Sequence, residues 1–348
     1  MKNITARQFA LLEKLCNACA VSGDEGEVRR IVLEEVQPLA DEVRVDAMGN
    51  VLAIKNGTGK NRPRVMLDAH MDEIGFMLVA EDGEGLYQFV AVGGIDPRIL
   101  PGKPVWVGKD HTPGVIGIKP IHLVSGMDEV KGKPSIESLR IDLGPGGKAS
   151  PGDWATFATK FKRVGASIFA KAIDDRIGVA TLIELLRNAP PNIDLLAAFT
   201  VQEEIGLRGA KIAAHALAPD LAIAVDSTPA YDMPKHDKSE NTKYNTKLGL
   251  GPAIYVHNAA TLDDPRLVRF LRETAAAAHI PYQIRQPGGG GTNAGAIQRA
   301  REGVPVVSVS VPGRYAHTPI GLCRVDDWKH TLALLQAALE RITPDLLK

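Results

Sequence analysis

The chain has 348 residues, 45% apolar and 24% charged, the composition of an ordinary globular protein with length enough for one large domain or two. Lys plus Arg and Asp plus Glu both number 41, so the zero net charge excludes the basic excess that a nucleic-acid or membrane-surface partner would favour. No apolar run approaches a membrane span, the start "MKNITARQFALLEK" is not a secretion signal, and three cysteines are too few for a disulfide framework, so a cytoplasmic protein is expected.

Two amphipathic helices are expected first, over residues 5 to 19 and 25 to 38, the second opened by the acidic turn "SGDEGE". Cys16 and Cys19 close the first of them as "CNAC". A zinc ribbon needs a second pair, and only Cys323 remains. A redox CxxC opens a helix rather than closing one, so the two thiols are expected to share the core face. "DEVRVDAMGNVLAIK" reads as two strands about a Met-Gly-Asn turn, and "RPRVMLDAHMDEIG" as an apolar strand ending in His and acids.

From residue 75 to 165 helical periodicity is absent, and short runs such as "FMLVA", "YQFVAV" and "GVIGI" alternate with Gly and Pro, which predicts an inserted β-rich, barrel-like domain. Strand and helix then alternate to the end of the chain: helix "RIGVATLIELLRN", strand "IDLLAAFTV", helix "RGAKIAAHAL", strand "LAIAVD", helix "DPRLVRFLRETAAAAHI", helix "NAGAIQRA", strand "VPVVSVSV" and a last helix over 326 to 342. The expected fold is therefore α/β, a mostly parallel central sheet flanked by helices, with 1–74 and 166–348 forming one domain around the 75–165 insert. The polar stretch "DMPKHDKSENTKYNTKLG" is expected to be a long loop on the substrate side.

Open α/β sheets bind ligands beyond the carboxyl ends of their strands, and the residues met there are unusual. His70 and Asp72 follow one apolar strand, Glu203 and Glu204 another, Asp226 a third and His317 a fourth; Asp174, with Asp175 beside it, lies between the insert and the next helix. Singly each has an ordinary explanation: a hydrogen-bonded structural His, an N-capping Asp, a solvated pair of glutamates, a turn-opening Asp. Together they form a borderline-metal donor set too large for one open zinc site and right for two metals if one carboxylate bridges. One of the paired glutamates would then ligate a metal, while its neighbour takes the proton of a water activated between the ions.

The ordered motifs "DAHMDEIGF", "KAIDDRIG", "VQEEIGLRGA", "AVDST", "GGGGTNAGAI" and "PGRYAHTP" closely resemble the dinuclear metallo-aminopeptidases that form tetrahedral dodecamers, some of which carry the names glutamyl aminopeptidase or endoglucanase. The match runs over essentially the whole chain, and its insert falls between the His70 and Asp174 motifs, whereas related dipeptidases and deacylases place theirs later. The resemblance implies a zinc-exopeptidase-like domain holding two divalent ions, zinc or cobalt with manganese also suited. Asp174 would bridge them, His70 and Asp226 complete one site, and Glu204 and His317 the other. It implies Glu203 as general base, Asp72 as the acid that orients the His ligand, short peptides as substrates, and a homododecamer joined through the insert. One departure stands out: the glycine loop continues Thr292-Asn293 where the family carries Gly-Thr-Asp. Ahead of a helix, Thr292 and Asn293 are expected to meet substrate through backbone N–H groups, or else to form a tight turn.

Two other functions fit parts of the pattern. A glycosidase of the endoglucanase kind needs only two carboxylates, but it leaves His70 and His317 idle and cannot set adjacent Glu203 and Glu204 across a sugar. A non-catalytic metal-binding scaffold would keep the ligands and have no use for Glu203.

Overall fold

A computed structural model describes residues 3–124, 132–239, 241–242, 245–286 and 290–348. The long mixed sheet has four parallel strands at its centre, in the order Asp194–Thr200, Arg64–His70, Leu221–Pro229 and Val306–Arg314. Their near-continuous apolar sequences follow from burial on both faces: every residue of Asp194–Thr200 is buried, as are all but the first of Arg64–His70. Antiparallel strands extend both edges, Val51–Lys55 and Glu42–Val45 on one side, Gly321–Arg324, Ser167–Ala170 and Lys162–Val164 on the other. Helices Ala6–Asn17, Gly26–Val36, Ile173–Arg187 and Val325–Arg341 pack their apolar residues over one face of this sheet, and Arg208–Leu217 covers the other. Parallel register brings His70 level with Thr200, so those two strands finish together, while Leu221–Pro229 and Val306–Arg314 run on past them with Asp226 opposite Ser310.

Six strands between Gly75 and Phe157 close into an antiparallel barrel around Phe76, Phe89, Phe157 and their aliphatic neighbours, with Phe76 edge-on to both other rings. The fold class expected from the sequence, a helix-flanked α/β sheet with an inserted barrel, is the one observed. Among the described residues, no helix is long and apolar enough to cross a membrane.

Two elements depart from expectation. The first helix stops at Asn17, because Ala18 turns extended and the carbonyls of Leu15 and Ala18 accept from Arg176 and Lys171 side chains instead of closing another turn. Cys16 is therefore in the core while Cys19 lies beyond the helix and only partly buried. The helix expected over 293 to 300 shrinks to Ala294–Ile297. In the polar stretch 232–249 the described residues form loop, anchored where the Asp232 carboxylate meets Arg314 at 2.6 Å; residues 240, 243 and 244 lie outside the described residues.

The junction of barrel and sheet is built on Glu73. Its carboxylate accepts from Lys171 Nζ at 2.7 and 2.9 Å, from Arg176 Nη2 at 3.1 Å, from the Ala20 N–H at 3.0 Å and from Thr156 Oγ1 of the barrel at 2.9 Å. Burial pushes the Glu73 pKa up, but the Lys171 and Arg176 charges more than offset it and hold the group below its ordinary 4.5. A depressed carboxylate stabilises the fold above its unfolded pKa and loses that contribution as pH falls through the folded value. Glu73→Gln, which strands two buried cations, should cost about 3–5 kcal/mol at neutral pH by urea unfolding. That gap should shrink as the solution is acidified from about 4.5, the ordinary value, down through the lower value of the folded state, below which wild-type Glu73 is itself protonated. A gap independent of pH would show that the ion cluster is not its source.

Candidate active site

The carboxylates and imidazoles reach the site from five separate segments. His70 is the last residue of its strand, Glu203 and Glu204 follow Asp194–Thr200, Asp226 sits inside Leu221–Pro229, and His317 follows Val306–Arg314. Asp174 precedes the helical run to Arg187 and departs from helical geometry at φ −79°, ψ 107°, as does Asp175 after it; the peptide between them is cis. Gln202, just ahead of the paired glutamates, and His317 itself adopt left-handed backbone at φ 57° and 56°. Such residues cost of order 1–3 kcal/mol each and persist where the surrounding structure enforces them, typically at functional sites.

The side chains converge on Asp174. His70 Nε2 lies 3.2 Å from Asp174 Oδ1 and 3.9 Å from Asp226 Oδ1. On the other side, His317 Nε2 lies 3.8 Å from Asp174 Oδ2 and 3.2 Å from Glu204 Oε2. Two donor sets result, His70–Asp174–Asp226 and Asp174–Glu204–His317, and the ligand atoms of each lie within 4.8 Å of one another. Asp174 is common to both and offers a different oxygen to each imidazole. Glu203 belongs to neither set, yet lines the same cavity of about 590 Å³ together with Tyr231, Asn245, Tyr255 and Gly290–Gly291.

Outer contacts fix the donors. Asp72 accepts the backbone N–H of Glu203 at 3.0 Å, that of Glu204 at 3.2 Å, and the Ser22 hydroxyl at 2.6 Å. His70 Nδ1 is 3.2 Å from the Asp72 carbonyl oxygen and 3.5 Å from its carboxylate, so the closer ring partner is the main chain. Nδ1 of His317 lies 2.9 Å from the carbonyl oxygen of Gly94, in the loop after barrel strand Leu86–Val92, which makes the barrel a support of the site. Ring orientation fixed in this way is the usual condition of an imidazole ligand.

Burial dominates the electrostatics. It pushes the Glu203 carboxyl up to about 8 and, aided by the Asp174 charge, drives Glu204 and Asp226 well above their ordinary values. Burial also raises Asp174, but the His70 hydrogen bond and charge, followed by His317, hold it below 3.8. Crowded buried carboxylates with two imidazoles are a poor arrangement for a neutral core and a good one for divalent cations, and this donor chemistry of nitrogen and oxygen fits a pair of zinc-class ions.

At Thr292 and Asn293 the backbone makes a turn, Gly295 N–H donating to the Thr292 carbonyl at 3.0 Å, and their side chains point inward. Both are buried and neither lines the cavity: Thr292 Oγ1 pairs with Ser308 Oγ at 2.9 Å, and Asn293 Nδ2 donates to Asp68 Oδ1 at 2.7 Å and Thr200 Oγ1 at 2.9 Å. Asn293 turns inward because Asp68, a carboxyl buried in mid-strand and raised by that burial to about 7, needs a donor. Gly288 and Gly289 of the same loop lie outside the described residues. Sequence reasoning also passed over Glu73, Lys171 and Arg176, although all three stand inside the motifs "DAHMDEIGF" and "KAIDDRIG".

Comparison with known proteins gives this geometry its family. The model of the M42 glutamyl aminopeptidase family matches residues 49–334. The chain belongs to that family. Among similar proteins, the lysyl aminopeptidase of Pyrococcus furiosus is 34% identical over 349 residues, 97% of this chain and 98% of the relative. The solved TET aminopeptidase of Thaumarchaeota archaeon SCGC AB-539-E09 superposes with a TM-score of 0.92 at 32% identity, covering 98% of each chain. The TET1 peptidase of Pyrococcus horikoshii, whose structure is described as a tetrahedron or a large octahedral shell, gives 0.84 at 31% identity and covers 96% of this chain and 100% of its own. M42 membership makes the chain an aminopeptidase and places it among metallopeptidases.

Proposed function

We propose that this M42 protein removes N-terminal residues from short peptides with two divalent ions and Glu203 as general base. The single observation behind this is the position of Asp174, whose two carboxylate oxygens serve two separate donor sets while Glu203 stands free of both. His70 and Asp226 would hold one ion, Glu204 and His317 the other, with Asp174 between. Two such ions supply Lewis-acid polarisation of the scissile carbonyl and bring the pKa of water towards about 7.

The chain's own residues do the rest. Glu203 takes a proton from the attacking water as its oxygen bonds to the carbonyl carbon, then passes that proton to the amine as the C–N bond breaks. Asp72 is a positioning residue: by accepting both backbone N–H groups it sets where the two glutamates point. Buried Tyr255 and Asn245 line the same cavity as Glu203 and are the side chains proposed to meet the terminal residue of the peptide. A glycosidase would leave both imidazoles without a role.

Residues 1–74 and 166–348 are proposed as the catalytic domain and 75–165 as the module of self-association into a homododecamer. The assemblies named for TET relatives support this, as do Ile118, Ile121 and Leu123, large apolar side chains exposed on the insert. Sedimentation at monomer mass under metal-replete conditions would remove that part of the proposal.

The catalytic proposal is tested with a panel of aminoacyl chromogenic substrates. Activity should vanish in chelator and return on addition of Zn²⁺, Co²⁺ or Mn²⁺, with the panel reporting the preferred terminal residue for each. Full activity in metal-free protein, verified by elemental analysis, would end it.

A further inference from the structure

Away from the active site, a second group of metal-ligating side chains spans the seam between barrel and helical layer. Cys19 follows the first helix, Glu27 lies in the first turn of Gly26–Val36, and His111 occupies the turn between barrel strands Pro104–Val107 and Thr112–Gly117. One ligand atom from each, a sulfur, a carboxylate oxygen and an imidazole nitrogen, lies within 4.8 Å of the others. The Glu27 carboxylate is already aimed inward: Oε2 accepts the Cys19 N–H at 3.0 Å, and Oε1 is 2.5 Å from His111 Nε2. The His111 ring is backed by Trp106, centroid to centroid at 6.5 Å. Beside the group opens a cavity of about 300 Å³ lined by Cys19, Glu27, Trp106, Trp154 and Thr156.

We propose that Cys19, Glu27 and His111 form a further cation site of the zinc class, which clamps the barrel to the sheet domain. One thiolate, one imidazole and one carboxylate is a borderline-soft set that selects zinc over magnesium or calcium. Ligand atoms around a tetrahedral zinc stand roughly 3.4–3.7 Å apart, given bond lengths of about 2.0–2.3 Å, so the group closes on an ion by small side-chain rotations. The fourth position faces the cavity, which has room for water. Cys19 and Glu27 come from the helical layer and His111 from the barrel 84 residues further on, so an ion here would tie the insert to the sheet domain, a second tie across that seam besides Glu73. None of the three touches the Asp174 centre, and the site carries no step of peptide hydrolysis.

Cobalt(II) titrated into the full chain is the probe. The active-site donors are all nitrogen and oxygen, and Cys16 and Cys323 are fully buried, so a sulfur-to-cobalt charge-transfer absorption reports Cys19. The wild type should show that absorption; Cys19→Ser should lose it, bind about one ion fewer per chain, and keep its peptidase activity. His111→Ala, at a partly exposed turn, should weaken cobalt binding at this site by on the order of 10-fold or more without disturbing the fold. Equal metal content in all three proteins with no sulfur absorption in the wild type would reduce the group to a His–Glu ion pair. Absorption that persists in Cys19→Ser, or cobalt affinity unchanged in His111→Ala, would equally overturn the site.

Discussion

Glu203→Gln is expected to retain both active-site metals and to lose turnover by on the order of 10²–10⁴-fold, the usual worth of a positioned general base. The substitution keeps side-chain volume and removes only the ability to take a proton. Glu203 belongs to neither donor set, so elemental analysis should find the same metal content as in the parent. The pH profile gives an independent check. Burial, with the Glu204, Asp174 and Asp72 charges adding to it and His70 opposing it, puts the Glu203 carboxyl at about 8, and a pair of divalent cations beside it would favour the ionised form and move that value down. Since the base must be ionised to act, activity of the loaded wild type should fall on acidification through a value below 8, and Glu203→Gln should lack that limb. A variant with near-parental turnover, or with an unchanged acid limb, would move the base elsewhere.

Asp174→Asn should be more damaging, because it strikes both donor sets at once. The amide is nearly isosteric but carries no charge and offers one oxygen, whereas Asp174 faces His70 with Oδ1 and His317 with Oδ2. Metal content should fall at both positions, and water returns from a pKa near 7 towards 15.7, so turnover drops below detection. Asp226→Asn and His317→Ala serve as contrasts, each belonging to one set only. They should lose one ion and keep most of the other. If Asp174→Asn binds the full complement of metal, Asp174 does not bridge. If all three variants lose the same amount, there is one shared site rather than two.

How far the site was legible in the sequence varies with the residue. His70, Glu203, Glu204, Asp226 and His317 could be picked out because polar and ionisable groups abruptly follow apolar strand runs, and strand ends in an open sheet share one edge. Asp174 was separable from Asp175 only through family resemblance. In the structure their distinction is one of direction: Asp174 joins the donor cluster, whereas Asp175 turns back and accepts the Gly178 N–H at 3.0 Å. The turn at Thr292 and Asn293 was legible, but nothing in "GGGGTNAGAI" reveals that the Asn293 side chain donates to Asp68, 225 residues earlier. Glu73, Lys171 and Arg176 were invisible for the same reason, each looking like an ordinary surface charge in isolation. Cys19 was assigned to the core by helical spacing, and the early end of its helix released it.

Local patterns by themselves determined the parallel sheet, the inserted barrel and the inventory of donors, since periodicity, burial and strand ends are properties of neighbouring residues. Apart from the family resemblance, which pointed to Asp174 and Glu203, only tertiary structure shows which carboxylate stands between the two imidazoles, which stays outside both donor sets, and which charges cancel one another inside. Those outcomes depend on distances between segments tens to more than a hundred residues apart, and on burial, which lets partners a few ångströms away reset a group's charge.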